Sequence, residues 1–173
     1  MARTKIDYGI DLGTTNSAIS RIEQGSIKII KSLDTQKDTT PSCIAVNQKG
    51  GLFVGDKAYQ NYRSNSLKSL SSNIPFNSYI EFKRTMGTDK SYHSSFAERN
   101  FSSEELSAEV LKRLKEYVQD EYISAVIVTV PAAFKNNQID ATRRAAKLAG
   151  FSHIEVLQEP VAASMAYGLE NMK

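Results

Sequence analysis

The run Ile10-Asp11-Leu12-Gly13-Thr14-Thr15-Asn16-Ser17 gathers a carboxylate, a glycine and two threonine hydroxyls at the end of an apolar, strand-like segment. That grouping suits phosphate chemistry. A glycine lets a ligand approach the backbone closely, and the N–H groups that follow it can turn inward as an anion nest. The hydroxyls of Thr14 and Thr15 add donors toward phosphate oxygens. Asp11 is placed to hold a hydrated magnesium ion bridging those oxygens, because Mg2+ keeps several waters and needs only one or two carboxylates. An ordinary hairpin with a capping aspartate fits the same residues as well.

Other chemistries find little support. Neither GxxxxGK[ST] nor GxGxxG occurs, so a P-loop and a dinucleotide fold are both unsupported. His93 and His153 lack partners at metal-ligand spacing, which argues against a structural zinc site. Cys43 is the single cysteine, so no intrachain disulfide can form, and its apolar run Ser42–Val46 reads as core rather than as a nucleophile's setting. The net charge is only +3 and the basic residues are interleaved with acids, which disfavours a nucleic-acid partner. No apolar stretch suits a membrane span or a signal peptide, so the chain is expected to be cytoplasmic, and the Asn100-Phe101-Ser102 glycosylation match carries no meaning.

The elements that must position the turn follow from periodicity. Ile6–Leu12, Ser17–Ile22 and Ile27–Ile30 read as three strands joined by tight turns, with Gln24-Gly25 in the second. Strands over 42–46 and 52–54 follow, then a short helix over Asp56–Tyr62. Ser64–Asn77 reads as a loop in which Leu67, Leu70, Ile74 and Phe76 dock on something, and Ser91–Phe101 as a second irregular stretch. Ser102 and Glu105 form a capping box for a helix whose Leu106, Val110, Leu111, Leu114 and Val118 share one face. The β-branched run Ala125–Val130 suits a strand covered on both faces. A helix over 136–149 ends at Gly150, a strand spans 154–157, and Glu159-Pro160 opens a last, alanine-rich helix. Alternating strands and helices of this order imply an α/β fold with a mixed sheet flanked by helices.

Several segments together resemble the heat-shock chaperone ATPases of the DnaK type. They are Gly9–Ser17, Thr39-Thr40-Pro41-Ser42, Val54-Gly55, Phe82-Lys83-Arg84, Ser107–Leu111, Val128–Ala132 and Glu159–Leu169, in order along nearly the whole chain. The resemblance implies a ribonuclease-H-like, actin-like ATPase fold in two lobes with ATP or ADP and Mg2+ in the cleft between them. Residues 1–173 would supply the first lobe, with a shortened outer subdomain inserted over about 32–106. It implies nucleotide binding by Asp11, Gly13, Thr14, Thr15, Asn16 and Lys83. Lys83, Glu159 and Thr14 would be the catalytic positions, and Asp11 and Glu159 would hold magnesium through water. Pro131 matches the family's interdomain switch. The implied partners are unfolded peptides, bound by a domain outside this stretch, a J-domain co-chaperone and a nucleotide exchange factor.

Three positions depart from the family's pattern. Ile139 stands where an arginine is usual, Glu155 where a basic residue commonly serves J-domain docking, and the stretch from Met86 to Ser107 is short. The shortening resembles the HscC-type branch. With the second phosphate loop and the adenosine pocket absent from this stretch, the chain alone is expected to bind ATP weakly and to hydrolyse it negligibly. An actin-like filament protein and a sugar kinase of the same superfamily are the competing readings. The Lys83 setting, Val130-Pro131-Ala132 and the Glu159–Leu169 helix favour the chaperone.

Overall fold

Residues 6–69, 77–162 and 164 are described by a computed structural model. Its central sheet starts from alternating residues in β1 (Tyr8–Asp11) and β2 (Asn16–Glu23), which put Tyr8, Ile10 and Ile19 into the core. Gln24 and Gly25 both adopt positive φ, the geometry a two-residue hairpin needs, and lead into β3 (Ser26–Ile30). Strand β10 (Ala125–Val130) then lies parallel to β1 on one side and to β11 (His153–Gln158) on the other. The strand order is β11-β10-β1-β2-β3.

Helices α2 (Ser103–Glu116) and α3 (Asn136–Leu148) pack on one face of this sheet. Leu106, Val110, Leu111 and Leu114 join Val126, Val128, Ala141 and Ala145 in one buried cluster. The expected capping box is present: the Ser102 hydroxyl accepts from the Glu105 amide, and the Glu105 carboxylate accepts from the Ser102 amide at 2.7 Å. Gly150 closes α3 with a φ of 84°, the left-handed value that a glycine adopts without strain.

Both faces of β10 are sheltered, with no exposed residue along the strand. On the face opposite α2 and α3, Ile127 and Leu157 lie beside the exposed Ile22, Ile27 and Ile29 and beside Ala162, which is in the helical turn that starts at Glu159.

Between β3 and α2 the chain builds a smaller unit. Strand β4 (Thr40–Pro41) pairs with β2, and β5 (Ile44–Val46) lies between β6 (Leu52–Val54) and β7 (Ser78–Tyr79). Helix α1 runs over Asp56–Ser69, so residues 64–69 are helical rather than looped, and Leu67 is 71% exposed rather than docked. Ala58 and Tyr62 anchor the helix against Cys43, Ala45 and Phe53, and its polar C-terminal half then has no apolar stripe to betray it. Leu70, Ile74 and Phe76 lie outside the described residues.

The stretch Ser91–Phe101 is likewise ordered, as the hairpin β8 (Ser91–Ser94) and β9 (Arg99–Ser102). Buried Asn77 organises its turn, accepting from the Ser94 hydroxyl at 2.8 Å and the Phe96 amide at 3.2 Å. That partner is remote in sequence, which is why local pattern does not reveal the hairpin.

Ser102→Ala removes the N-cap acceptor of α2 and is expected to lower the unfolding free energy by about 1 kcal/mol at neutral pH. Burial raises the Glu105 carboxyl, but the Ser102 amide and Arg99 outweigh it and hold the group below its usual value. A depressed carboxyl stabilises the fold above its unfolded pKa and loses that contribution as pH falls through the folded one. Denaturation of Glu105→Gln should therefore show its largest deficit at neutral pH, shrinking below about pH 4.

Candidate functional site

Parallel pairing sets Asp11 opposite Thr129 and Val130 opposite Gln158, with Pro131 and Glu159 immediately beyond. Asp11, Pro131 and Glu159 thus stand at the carboxyl ends of three neighbouring parallel strands. This is the edge at which open α/β sheets bind ligands. The Thr129 hydroxyl donates to Asp11 Oδ1 at 3.1 Å, which orients the carboxylate, while Asp11 itself stays exposed.

The turn after β1 is built around Gly13. A Cβ at that position would lie 1.9 Å from the Asn16 carbonyl oxygen, so backbone meets backbone there and no other residue fits. Ser17 accepts from the Gly13 amide at 3.1 Å, Ser42 donates to the Gly13 carbonyl at 2.7 Å, and the two serine hydroxyls are 2.8 Å apart. Asn16 is exposed and stands opposite Pro41 in the β2–β4 register. Among the described residues the Thr14 and Thr15 hydroxyls have no hydrogen-bond partner and remain available to a ligand.

Lys83 arrives from elsewhere. It sits in a short 3-10 helix (Phe82–Thr85), entered through Glu81 at a φ of 55°. The residue is only 4% exposed, so it is no ordinary surface lysine. Its ammonium lies 3.2 Å from Glu159 Oε1 and 5.6 Å from the centre of the Phe134 ring. A cation this buried needs a paired anion, and the half-exposed Glu159 supplies it. No hydrogen bond or ion pair among the described residues joins the Lys83–Glu159 pair to Asp11 or to the turn.

Three contributors escaped sequence reasoning. Thr129 is the lone polar residue in an otherwise apolar strand, which is the signal that marks it. Phe134 and Ser42 carry no signal in residue type, because their roles depend on contacts distant in sequence. Cys43 behaves as expected: burial pushes its thiol up to about 12. Among the described residues no cluster of three or more His, Cys, Asp or Glu forms a metal site. A single oriented carboxylate beside free hydroxyls fits magnesium held through water and phosphate, where a full cage is not needed.

The profile of the Hsp70 protein family matches residues 7–173. The chain is 35% identical over 172 residues to the chaperone protein DnaK of Mycoplasmopsis agalactiae, covering 98% of this chain and 26% of that protein. It is 36% identical over 168 residues to DnaK of Metamycoplasma hominis, covering 95% and 26%. The DnaK of Thermosipho melanesiensis is 37% identical over 167 residues, with 94% and 26% covered. The chain therefore spans about a quarter of the length of these relatives.

Replacing Gly13 by alanine should force the turn open. In amide NMR spectra of Gly13→Ala, resonances of residues 12–17 should move while those of Val126 and Val128 stay in place. Unchanged resonances at 12–17 would contradict the close approach.

Proposed function

The chain belongs to the Hsp70 family, and on that membership we propose that it serves as the first lobe of an ATP-hydrolysing chaperone, gripping the phosphates. The observation that carries this reading is the buried Lys83, paired with Glu159 at the same sheet edge that bears the Asp11–Gly13 turn. A membrane role has no support here, since no helix among the described residues is long and apolar enough to cross a bilayer.

Each residue then has a part to play. Gly13 opens the space, and the Thr14 and Thr15 hydroxyls donate to the phosphate oxygens, with Asn16 flanking them. Thr14 stands nearest the strand end and is the hydroxyl we assign to the catalytic set. Lys83 sets positive charge beside the γ-phosphate and the attacking water; phosphoryl transfer depends chiefly on such positioning and charge stabilisation. Glu159 holds that ammonium in place. Asp11 and Glu159 would hold Mg2+ through water, and the ion supplies charge neutralisation on the phosphate oxygens.

The wider role follows the family. Unfolded peptides, a J-domain co-chaperone and a nucleotide exchange factor are the proposed partners, and the cytoplasm the proposed location. Glu155 is exposed on β11, so it offers a negative charge where basic docking residues are common. Ile139 is part-buried in the first turn of α3, and a switch through Pro131 would work there without an arginine.

Titrating this 173-residue chain with Mg-ATP under NMR should perturb residues 11–16, Lys83 and Glu159 at weak affinity, with negligible turnover. In a complete protein carrying this lobe, Lys83→Met should cut turnover by about 100-fold or more and leave nucleotide affinity within a few-fold. Turnover that survives the substitution would sink the assignment of Lys83. An unperturbed spectrum at millimolar Mg-ATP would sink the nucleotide reading itself.

A further inference from the structure

Ser17 and Ser42 meet behind the turn, both buried, and their hydrogen bonds have only one consistent direction. The Gly13 carbonyl can only accept, so the single Ser42 hydroxyl proton is committed to it. Ser42 oxygen must therefore accept from Ser17, whose own oxygen accepts from the Gly13 amide. The result is a closed circuit that engages both backbone polar groups of Gly13.

That circuit has a geometric consequence. A trans peptide is planar, with its N–H opposed to its C=O. Holding the Gly13 carbonyl toward Ser42 turns the Thr14 amide the other way, out of the serine side. The Ser42 amide also donates to the Thr15 carbonyl at 2.8 Å, which by the same rule turns the Asn16 amide outward. Gly13's own N–H, by contrast, is spent on Ser17 and is withdrawn from any ligand.

We propose that Ser17 and Ser42 are positioning residues that aim the Thr14 and Asn16 amides at the phosphate group. The proposal rests on the nucleotide reading above. Ser42 lies next to β4, in the chain segment that leads into the smaller sheet, so that unit takes part in shaping a turn it does not contain. Thr40, two residues earlier, bonds to the Tyr117 hydroxyl at 2.9 Å and fixes the same segment to the end of α2.

The test compares the wild-type chain with Ser42→Ala and Ser42→Thr, using amide hydrogen exchange and Mg-ATP titration followed by NMR. In Ser42→Ala the Gly13 amide should exchange about tenfold faster and Mg-ATP should bind about tenfold more weakly, while Val126 and Val128 exchange as before. Ser42→Thr, which keeps the hydroxyl, should recover most of both losses. If Ser42→Ala disturbs the core amides, Ser17→Ala breaks the circuit at its other member and carries the same expectations. Wild-type affinity in an intact alanine variant would overturn the proposal and leave the serines as a brace. If instead the wild-type chain shows no Mg-ATP shifts at Thr14 and Asn16, the nucleotide reading fails first, and the positioning role fails with it.

Discussion

In a parallel ladder the strands share a direction, so their carboxyl ends share an edge, and β1, β10 and β11 form such a ladder. Backbone hydrogen bonds set its register, and everything chemical in this chain depends on that setting. Asp11 faces Thr129 only because Gly9 pairs with Ile127 two residues earlier. A slip by one residue would send Asp11 and Thr129 to opposite faces and bury a carboxylate in the helix-covered core. The alternation that places Ile10, Val126 and Val128 in that core is what forbids the slip. Hydrophobic burial and site geometry are thus one constraint seen from two ends.

The ladder alone does not complete the site. Lys83 comes from the smaller unit and Glu159 from the far edge of the main sheet, 76 positions later in the chain. Their pairing is enforced by cost: a buried ammonium with no anion would be strongly disfavoured. Phe134 adds the face of its ring to the amine's surroundings. Because Glu159 remains half-exposed, it can meet solvent or ligand on its open side while holding the lysine on the other. The same logic recurs at the turn, where Ser42 reaches across from the smaller unit to grip Gly13.

Much of this was legible in the sequence, for identifiable reasons. The α2 capping box, the Gly150 stop, β10 and the hairpin at Gln24-Gly25 each rest on chemistry confined to a few neighbouring residues. The strand-end position of Asp11 and the tight turn at Gly13 were legible because both features are likewise local. The polar end of α1 and the β8–β9 hairpin were not, since one has no buried stripe and the other leans on Asn77. Lys83 and Glu159 could be named through resemblance, yet nothing near either residue announced that the two would touch. Phe134 and Ser42 belong to the same class: their roles exist only once distant segments meet, whereas Thr129 was marked as the one polar residue of its strand.

The buried thiol of Cys43 has a practical consequence for spectroscopy. With its pKa near 12 and its side chain enclosed, Cys43 presents almost no thiolate at neutral pH, whereas an exposed cysteine titrates near about 8.5. Thiolate abundance at neutral pH then differs between the two by roughly three thousandfold, before burial slows the reagent further. The chain is in effect already free of reactive thiols. A cysteine introduced at an exposed position, such as the edge-strand site of Glu155, would take a maleimide dye alone, without first removing the native residue.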